Sequence, residues 1–422
     1  MNIFDWDFAP PRSAAIGDHE VPLISTHLRG RRVALLVTGG IAAMKTPLLA
    51  RALRRRGADV VAFCSDEALR YVGAQALEWA TCHPLVTALT WRAEHLSDSH
   101  PFDAYLVAPA TYNTIGKVAS GVADTVVTSA LASALGRMAA GRTAILMAPT
   151  MHGSMHNDVL VRVCRQLAEL GVRFVTPRDD YGKHNLPDDE VLVAAVCRAV
   201  SASPLRGRRI LVTGGPTPVP IDGVRRILNR FRGRLGASIA QEVLLRGGDA
   251  TFILGDGAWR PARWVPVDVA RTYDDYKRLV MAHVARGCDA GVFSAGVADY
   301  RPKTVVDGKI ESGSASLAIE LEPTEKIIEL VSEADPNLFM VTFKYLERVT
   351  REELLAVARA RLDRYPMVVA NRGEETHELE QTAWLVTRQG ETRIEGKDAI
   401  AAAICDGLER HFGPGGGDVP PA

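Results

Sequence analysis

The chain has 422 residues, 47% apolar and 24% charged, and its 50 basic and 50 acidic residues balance to zero formal charge. That length exceeds one ordinary core and predicts two or three compact domains. The charge balance leaves no overall field to hold nucleic acid or an anionic membrane, so an anion has to be held by a local site. The six cysteines (Cys64, Cys82, Cys164, Cys197, Cys288 and Cys405) are scattered without a metal-ligand spacing. They read as reduced thiols of a cytoplasmic protein, with no structural zinc and no metal ligands assigned. No run of about 18 apolar residues occurs, so neither export nor a membrane span is expected.

Residues 1–30 form an arm in which Phe4, Trp6 and Phe8 are expected to pack. Val33–Thr38, "VALLVT", is a β-branched apolar run that ends in Gly39-Gly40, and the helical pattern "AAMKTPLLARALRRRG" follows and closes at Gly57. "DVVAFCS", "DAYLVAPA" and "TAILMAPT" repeat the short apolar run between helical segments, the signature of a parallel sheet covered on both faces. Residues 31–200 are therefore a doubly wound α/β domain. The pattern lapses over 201–209, "SASPLRGRR", which reads as a linker. It restarts at "ILVTGGPT" and continues through "DATFILGDG", "DAGVFSAGVADY", "LFMVTFKY" and "MVVANRGEE", making residues 210–412 a second α/β domain. Residues 413–422, "GPGGGDVPPA", read as a disordered tail.

In open α/β sheets, ligands settle beyond the carboxyl ends of the strands, where glycine allows close approach and helix N-termini favour anions. Both glycine turns occupy that place. "TGGIAAMK" is not a GxGxxG fingerprint, and "TGGPTPVPID" has prolines where a Rossmann helix would start, so neither is a dinucleotide motif. "FCSDE" and "APATYNT" end strands beside the first turn with hydroxyl and amide groups, which points to a phosphate-bearing ligand in the first domain.

Three stretches of the first half, "VTGGIAAMKTPLLARALRRRGADV", "EHLSDSHPFDAYLVAPATYNTIGKVASGVADT" and "MAPTMHGSM", resemble the His-containing flavin-dependent cysteine decarboxylases. In the second half, "VTGGPTPVPIDGVRRILN", "GVADYRP" and "GKI" are similar to phosphopantothenate-cysteine ligase. In that order they look like the bifunctional enzymes of coenzyme A biosynthesis, over roughly residues 30 to 410. The resemblance implies a flavodoxin-like first domain and a Rossmann-like ligase domain. It implies FMN held by Thr38, Gly39, Gly40, Ile41 and Ala42, by Ser65, and by Pro109, Ala110 and Thr111, commonly at a trimer interface. FMN oxidises the substrate thiol, the carboxylate leaves, and the enethiol is then reduced. His95 falls where the family places its active-site histidine. For the ligase half the family makes an acyl nucleotidylate from CTP or ATP with Mg2+. Asn229 and Lys309 fall on positions that hold the acyl intermediate and the phosphates. Gly214, Gly215, Ala295, Asp299 and Phe343 fall around the nucleotide, and Arg359 lies on the helix that carries nucleotide-binding lysines. The implied partners are 4'-phosphopantothenate and cysteine, with a dimeric ligase domain.

Four motifs depart from the family. Pro-Ala-Met-Asn becomes Pro149-Thr150-Met151-His152, in which His152 keeps a donor for a substrate carboxylate. The flap whose cysteine supplies a proton becomes "RDDYGKHNLPDDE", with Lys183 and His184 in its place. Asn-His-Ser-Ser-Gly becomes Asn229-Arg230-Phe231-Arg232-Gly233, and Lys-Ile-Lys-Lys becomes Lys309-Ile310-Glu311-Ser312. Three readings stand at this point: the coenzyme A enzyme itself, a paralogue that ligates and decarboxylates another acid, and a flavin-binding scaffold without chemistry.

Overall fold

The computed structural model describes residues 6, 8–9, 16–96, 100–257, 259–313, 315–375 and 381–414. The chain divides into two units, Met1–Val200 and Ser201–Ala422, each with its own apolar core.

In the first unit the apolar runs become β1 (Arg32–Val37), β2 (Asp59–Cys64), β3 (Ala104–Ala110) and β4 (Ala144–Pro149). Then come β5 (Met151–His152), β6 (Arg173–Phe174), β7 (Arg178–Asp180) and β8 (Lys183–Asn185). A parallel sheet takes the order β2-β1-β3-β4-β6, and a small antiparallel sheet takes the order β5-β8-β7. The helices are α1 (Thr46–Arg54), α2 (Ala74–Thr81), α3 (Tyr112–Ala119), α4 (Val126–Ala139), α5 (Asp158–Glu169) and α6 (Asp189–Val200). Side chains alternate across each strand, so Ala34, Leu36, Val107 and Met147 meet Ile115, Leu131 and Leu167 of α3, α4 and α5 on one face. Leu35 points the other way and is equally buried, so both faces are covered. Each such leucine contributes about 1.5–3 kcal/mol by leaving water.

The body of this unit begins before residue 31. Leu28 is fully buried, and the Ile24 and Leu28 amides donate to the Arg55 and Arg56 carbonyls beyond α1. The arm's aromatic rings differ from expectation. Phe4 lies outside the described residues, while Trp6 and Phe8 stand with their ring centroids 4.7 Å apart and stay 70% and 78% exposed. The tail expected over 413–422 lies outside the described residues from 415 onward.

The second unit adds β9 (Arg209–Gly214), β10 (Val219–Pro220), β11 (Arg226–Ile227), β12 (Asp249–Gly255), β13 (Val267–Ala270) and β14 (Ala290–Phe293). It continues with β15 (Tyr300–Pro302), β16 (Leu321–Pro323), β17 (Phe339–Leu346), β18 (Met367–Arg372), β19 (Thr382–Thr387) and β20 (Gly390–Glu395). Its main sheet runs β13-β12-β9-β14-β17-β18-β19-β20, parallel as far as β18 and antiparallel at the last two strands. Helices α7 (Arg234–Leu245) and α11 (Lys397–Phe412) cover one face; α8 (Tyr273–Ala285) and α9 (Ile327–Ala334) cover the other. Helix α10 (Arg351–Ala360) packs on β18 and β19. No described helix is long and apolar enough to cross a membrane.

Candidate functional site

In the first unit the chain passes from β1 to β2 on one side and returns to β3 on the other. Between the carboxyl ends of β1 and β3 lies a cavity of about 920 Å³. This is the crevice where doubly wound sheets bind ligands, and its volume suits one of cofactor size. The buried Thr38 hydroxyl donates to the Pro109 carbonyl at 2.7 Å and ties the two strand ends together. Gly39 is required by packing, since a Cβ there would stand 2.4 Å from Cγ of Glu67.

After Gly40 the chain makes a short 3-10 turn, Ile41–Lys45, and two helix N-termini open on the same space. Thr111 caps α3 by accepting the Thr114 amide at 3.4 Å, and Thr125 forms a reciprocal capping box with Thr128 at the start of α4. Unpaired amides and helix dipoles favour an anion at such ends. The hydroxyls of Ser65, Thr111 and Thr125 add neutral donors. Of the two lysines on the wall, Lys117 is engaged by Asp124 at 2.6 Å. Replacing Thr111 by valine keeps the shape and removes the cap, so thermal unfolding of the first unit is expected to shift down by about 1 kcal/mol of stability. An unchanged midpoint would mean that the cap contributes nothing.

Beyond β4 the cavity is closed by the small sheet, in which Met151 pairs with His184 and His152 with Lys183. Nδ1 of His152 accepts the Ser154 amide at 3.2 Å, which leaves the ring proton on Nε2. His184 stands on the cavity wall with Nδ1 at 2.5 Å from an Asp179 carboxylate oxygen and Nε2 at 2.7 Å from Nδ1 of His156. Asp179, His184 and His156 are thus a hydrogen-bonded series able to hold and move one proton at the cavity. No cysteine is among the residues lining the cavity. Cys64, at the end of β2, is buried, and that burial with the charge of Asp66 pushes its thiol up to about 12.

Of the residues picked out from the sequence, Thr38, Gly39, Gly40, Ile41, Ser65, Thr111, His152, Lys183 and His184 line this cavity. Ala42 stands outside its lining, Ala110 is fully buried in the core, and Pro109 contributes its carbonyl from behind the wall. His95 is not among the residues lining the cavity. The chain bridges to the outer strand β2 at Val86 and then runs through irregular turns, leaving His95 half-buried with Nδ1 unpartnered among the described residues.

In the second unit the equivalent crevice lies between β9 and β14. Thr213 pairs with Phe293 and Phe293 with Thr342, so Gly214, Gly215, Ala295 and Phe343 come together at one carboxyl edge. Gly215 takes φ +79°, and its carbonyl accepts the Gly296 amide at 2.9 Å. The Asn229 side chain donates to the Gly296 carbonyl and accepts the Phe231 amide at 3.2 Å. Asp299 forms an ion pair with Lys326. Lys309 is exposed and has no ion pair among the described residues. Of the two exposed arginines in this stretch, Arg230 meets Tyr345 and Glu347.

Arg359 is not brought to this edge. It sits at the end of α10 and pairs with Glu391 near the start of β20, level with the beginning of β18 and thus at the opposite edge of the sheet. The helix runs antiparallel to the strands, so its last turn faces their amino ends. Sequence reasoning passed over Asp179, His156, Lys117 and Thr125. Only Thr125 carried a local signal, a threonine followed three residues later by Thr128 ahead of an apolar run.

Residues 23–201 match the family described as Flavoprotein, and residues 205–411 match the DNA/pantothenate metabolism flavoprotein C-terminal domain. The coenzyme A biosynthesis bifunctional protein CoaBC of Thermococcus kodakarensis is 35% identical over 405 residues, spanning 93% of this chain and 99% of that one. CoaBC of Mycobacterium tuberculosis is 31% identical over 410 residues, 90% of this chain and 96% of that one. A cysteine/cysteine sulfinic acid decarboxylase from an unknown prokaryotic organism is 33% identical over 259 residues, 57% of this chain and 69% of that one.

Proposed function

Because the chain belongs to the family of coenzyme A biosynthesis bifunctional proteins, we propose that its two units carry out successive steps on one substrate. The second unit joins cysteine to 4'-phosphopantothenate through an acyl nucleotidylate made from CTP or ATP. The first unit decarboxylates the resulting 4'-phosphopantothenoylcysteine to 4'-phosphopantetheine. The observation that carries the reading is similarity along both halves to one bifunctional relative, over 93% of the chain.

The cavity of the first unit suits FMN. Its hydroxyl donors and two helix N-termini fit a phosphate, and Ile41, Met151 and Met155 give an apolar wall for a flat ring. When bound, FMN supplies the two-electron chemistry of the decarboxylation. His152 offers its Nε2 proton to the carboxylate that departs. Loss of carbon dioxide from the oxidised substrate leaves an enethiol, which needs two electrons and two protons to become the thiol; the electrons return from the reduced flavin, and a side chain at the cavity supplies a proton at carbon. His184, braced by Asp179 and coupled to His156, takes the part that a flap cysteine plays in the family. His184→Gln is therefore expected to yield a product two hydrogens lighter than phosphopantetheine, read by mass spectrometry. Fully reduced product from that variant would remove His184 from the step. In a trimer that places the flavin at the interface, His95 serves the cavity of a neighbouring protomer.

In the second unit Asn229 shapes the acyl site through its bond to Gly296, and Lys309 meets phosphate charge. Mg2+ would arrive with the nucleotide phosphates, whose charge it offsets. Pyrophosphate release that requires both 4'-phosphopantothenate and a nucleotide tests this half; release independent of the acid would contradict it.

A further inference from the structure

We propose that Asp222 is the positioning residue of the second unit, clamping the loop on both sides of Lys309; this rests on the ligase role given to Lys309 above. Asp222 ends the "TGGPTPVPID" stretch and is 4% exposed. One carboxylate oxygen accepts the amides of Val224 at 2.8 Å and Arg225 at 2.6 Å. The other accepts the Ile310 amide at 3.0 Å and the Arg225 guanidinium. The same guanidinium returns to the Ile310 carbonyl at 3.2 Å.

The residue before Lys309 is tied as well. The Gly223 amide donates to the Gly308 carbonyl at 2.6 Å, and the Val306 amide donates to the Ile221 carbonyl at 3.1 Å. The approach is so close that a Cβ on Gly223 would stand 2.9 Å from the Gly308 oxygen. Lys309 itself is an exposed, flexible side chain, so its usefulness depends on where its backbone is fixed. A buried carboxylate that accepts four donors leaves that backbone no slack. Burial alone would raise the carboxyl, but the amides of Ile310, Arg225 and Val224 and the Arg225 side chain hold it well below the usual carboxylate range. A depressed folded-state value means the clamp is intact at neutral pH. It weakens only as acid protonates the group below the ordinary aspartate value of about 4.

Asp222 touches no reacting group in this arrangement and acts through the loop. Misplacement of a charge by about 1 Å is enough to cost on the order of 10²-fold in rate. The test compares full-length wild type with Asp222→Asn, Gly223→Ala, Lys309→Gln and the Asp222→Asn/Lys309→Gln double variant. The readouts are kcat and KM for pyrophosphate release and amide hydrogen exchange over residues 306–310.

Asp222→Asn and Gly223→Ala are each expected to speed exchange at Val306 and Ile310 and to lower kcat by about ten-fold or more. KM for cysteine should stay unchanged, and the double variant should be no slower than Lys309→Gln. Gly223→Ala keeps the carboxylate and only displaces the loop, so it answers for an Asp222→Asn protein that does not fold. Wild-type kcat in Asp222→Asn or Gly223→Ala, or losses that multiply in the double variant, would overturn the clamp. Full activity in Lys309→Gln would overturn the Lys309 role and the clamp with it. No acid-dependent pyrophosphate release in the wild type would overturn the ligase reading beneath both.

Discussion

Gly255→Ala is expected to abolish ligation by displacing the Gly215-Pro216 turn beside the proposed nucleotide crevice of the second unit. Gly255 ends β12, beside the Gly215-Pro216 turn, and a Cβ there would lie 1.5 Å from the Pro216 carbonyl oxygen and 2.6 Å from its carbon. The obstacle is backbone, so no rotamer change relieves it. Overpacking of a well-fitted interior costs about 1–3 kcal/mol and occasionally more, and a contact this short belongs at the upper end. That is a large share of the roughly 5–15 kcal/mol by which domains are stable. Pyrophosphate release should be lost and the melting transition of the second unit should fall, while decarboxylation of supplied phosphopantothenoylcysteine persists. Normal ligation by this variant would show that the turn is free to move and that its geometry is not what the site depends on.

Gly39→Ala should leave the first unit without its flavin. The added methyl would meet Cγ of Glu67 at 2.4 Å and Cβ of the same residue at 2.7 Å, so moving the end of that side chain is not enough. The connection after β2 has to shift, and Ser65, which lines the same cavity as the capped start of α3, shifts with it. A loss of about 1.4 kcal/mol in binding is ten-fold in affinity, and the expected overlap exceeds that. The flavin-to-protein ratio of the purified variant, read by absorbance, should drop at least ten-fold; a protein as yellow as wild type would count against this cavity as the flavin site.

The parts of the fold that were legible are those where one physical rule dominates. Runs such as Val33–Val37 and Tyr105–Ala108 are buried on both faces, so they appear as unbroken apolar segments in the sequence and as adjacent parallel strands in the structure. The two glycine turns could be read because Gly39 sits where no side chain fits and Gly215 where φ is positive. The β19–β20 hairpin was missed: β20, "GETRIE", has one exposed face and too few apolar residues to stand out. Relations that depend on register across the fold were out of reach. Asp179, His184 and His156 meet only because β7 and β8 fold back on β5. Arg359 was assigned to a nucleotide by its helix, and what the sequence could not state was the helix's direction relative to the strand ends.

The most direct measurement is mass spectrometry of the products formed by the purified full-length protein with 4'-phosphopantothenate, cysteine, Mg2+ and either CTP or ATP. The account predicts 4'-phosphopantetheine, formed with one of the two nucleotides and absent when cysteine is omitted. Formation of neither the ligated acid nor phosphopantetheine with either nucleotide would contradict it, and would mean that the altered motifs around His152, Asn229 and Lys309 serve a different acid.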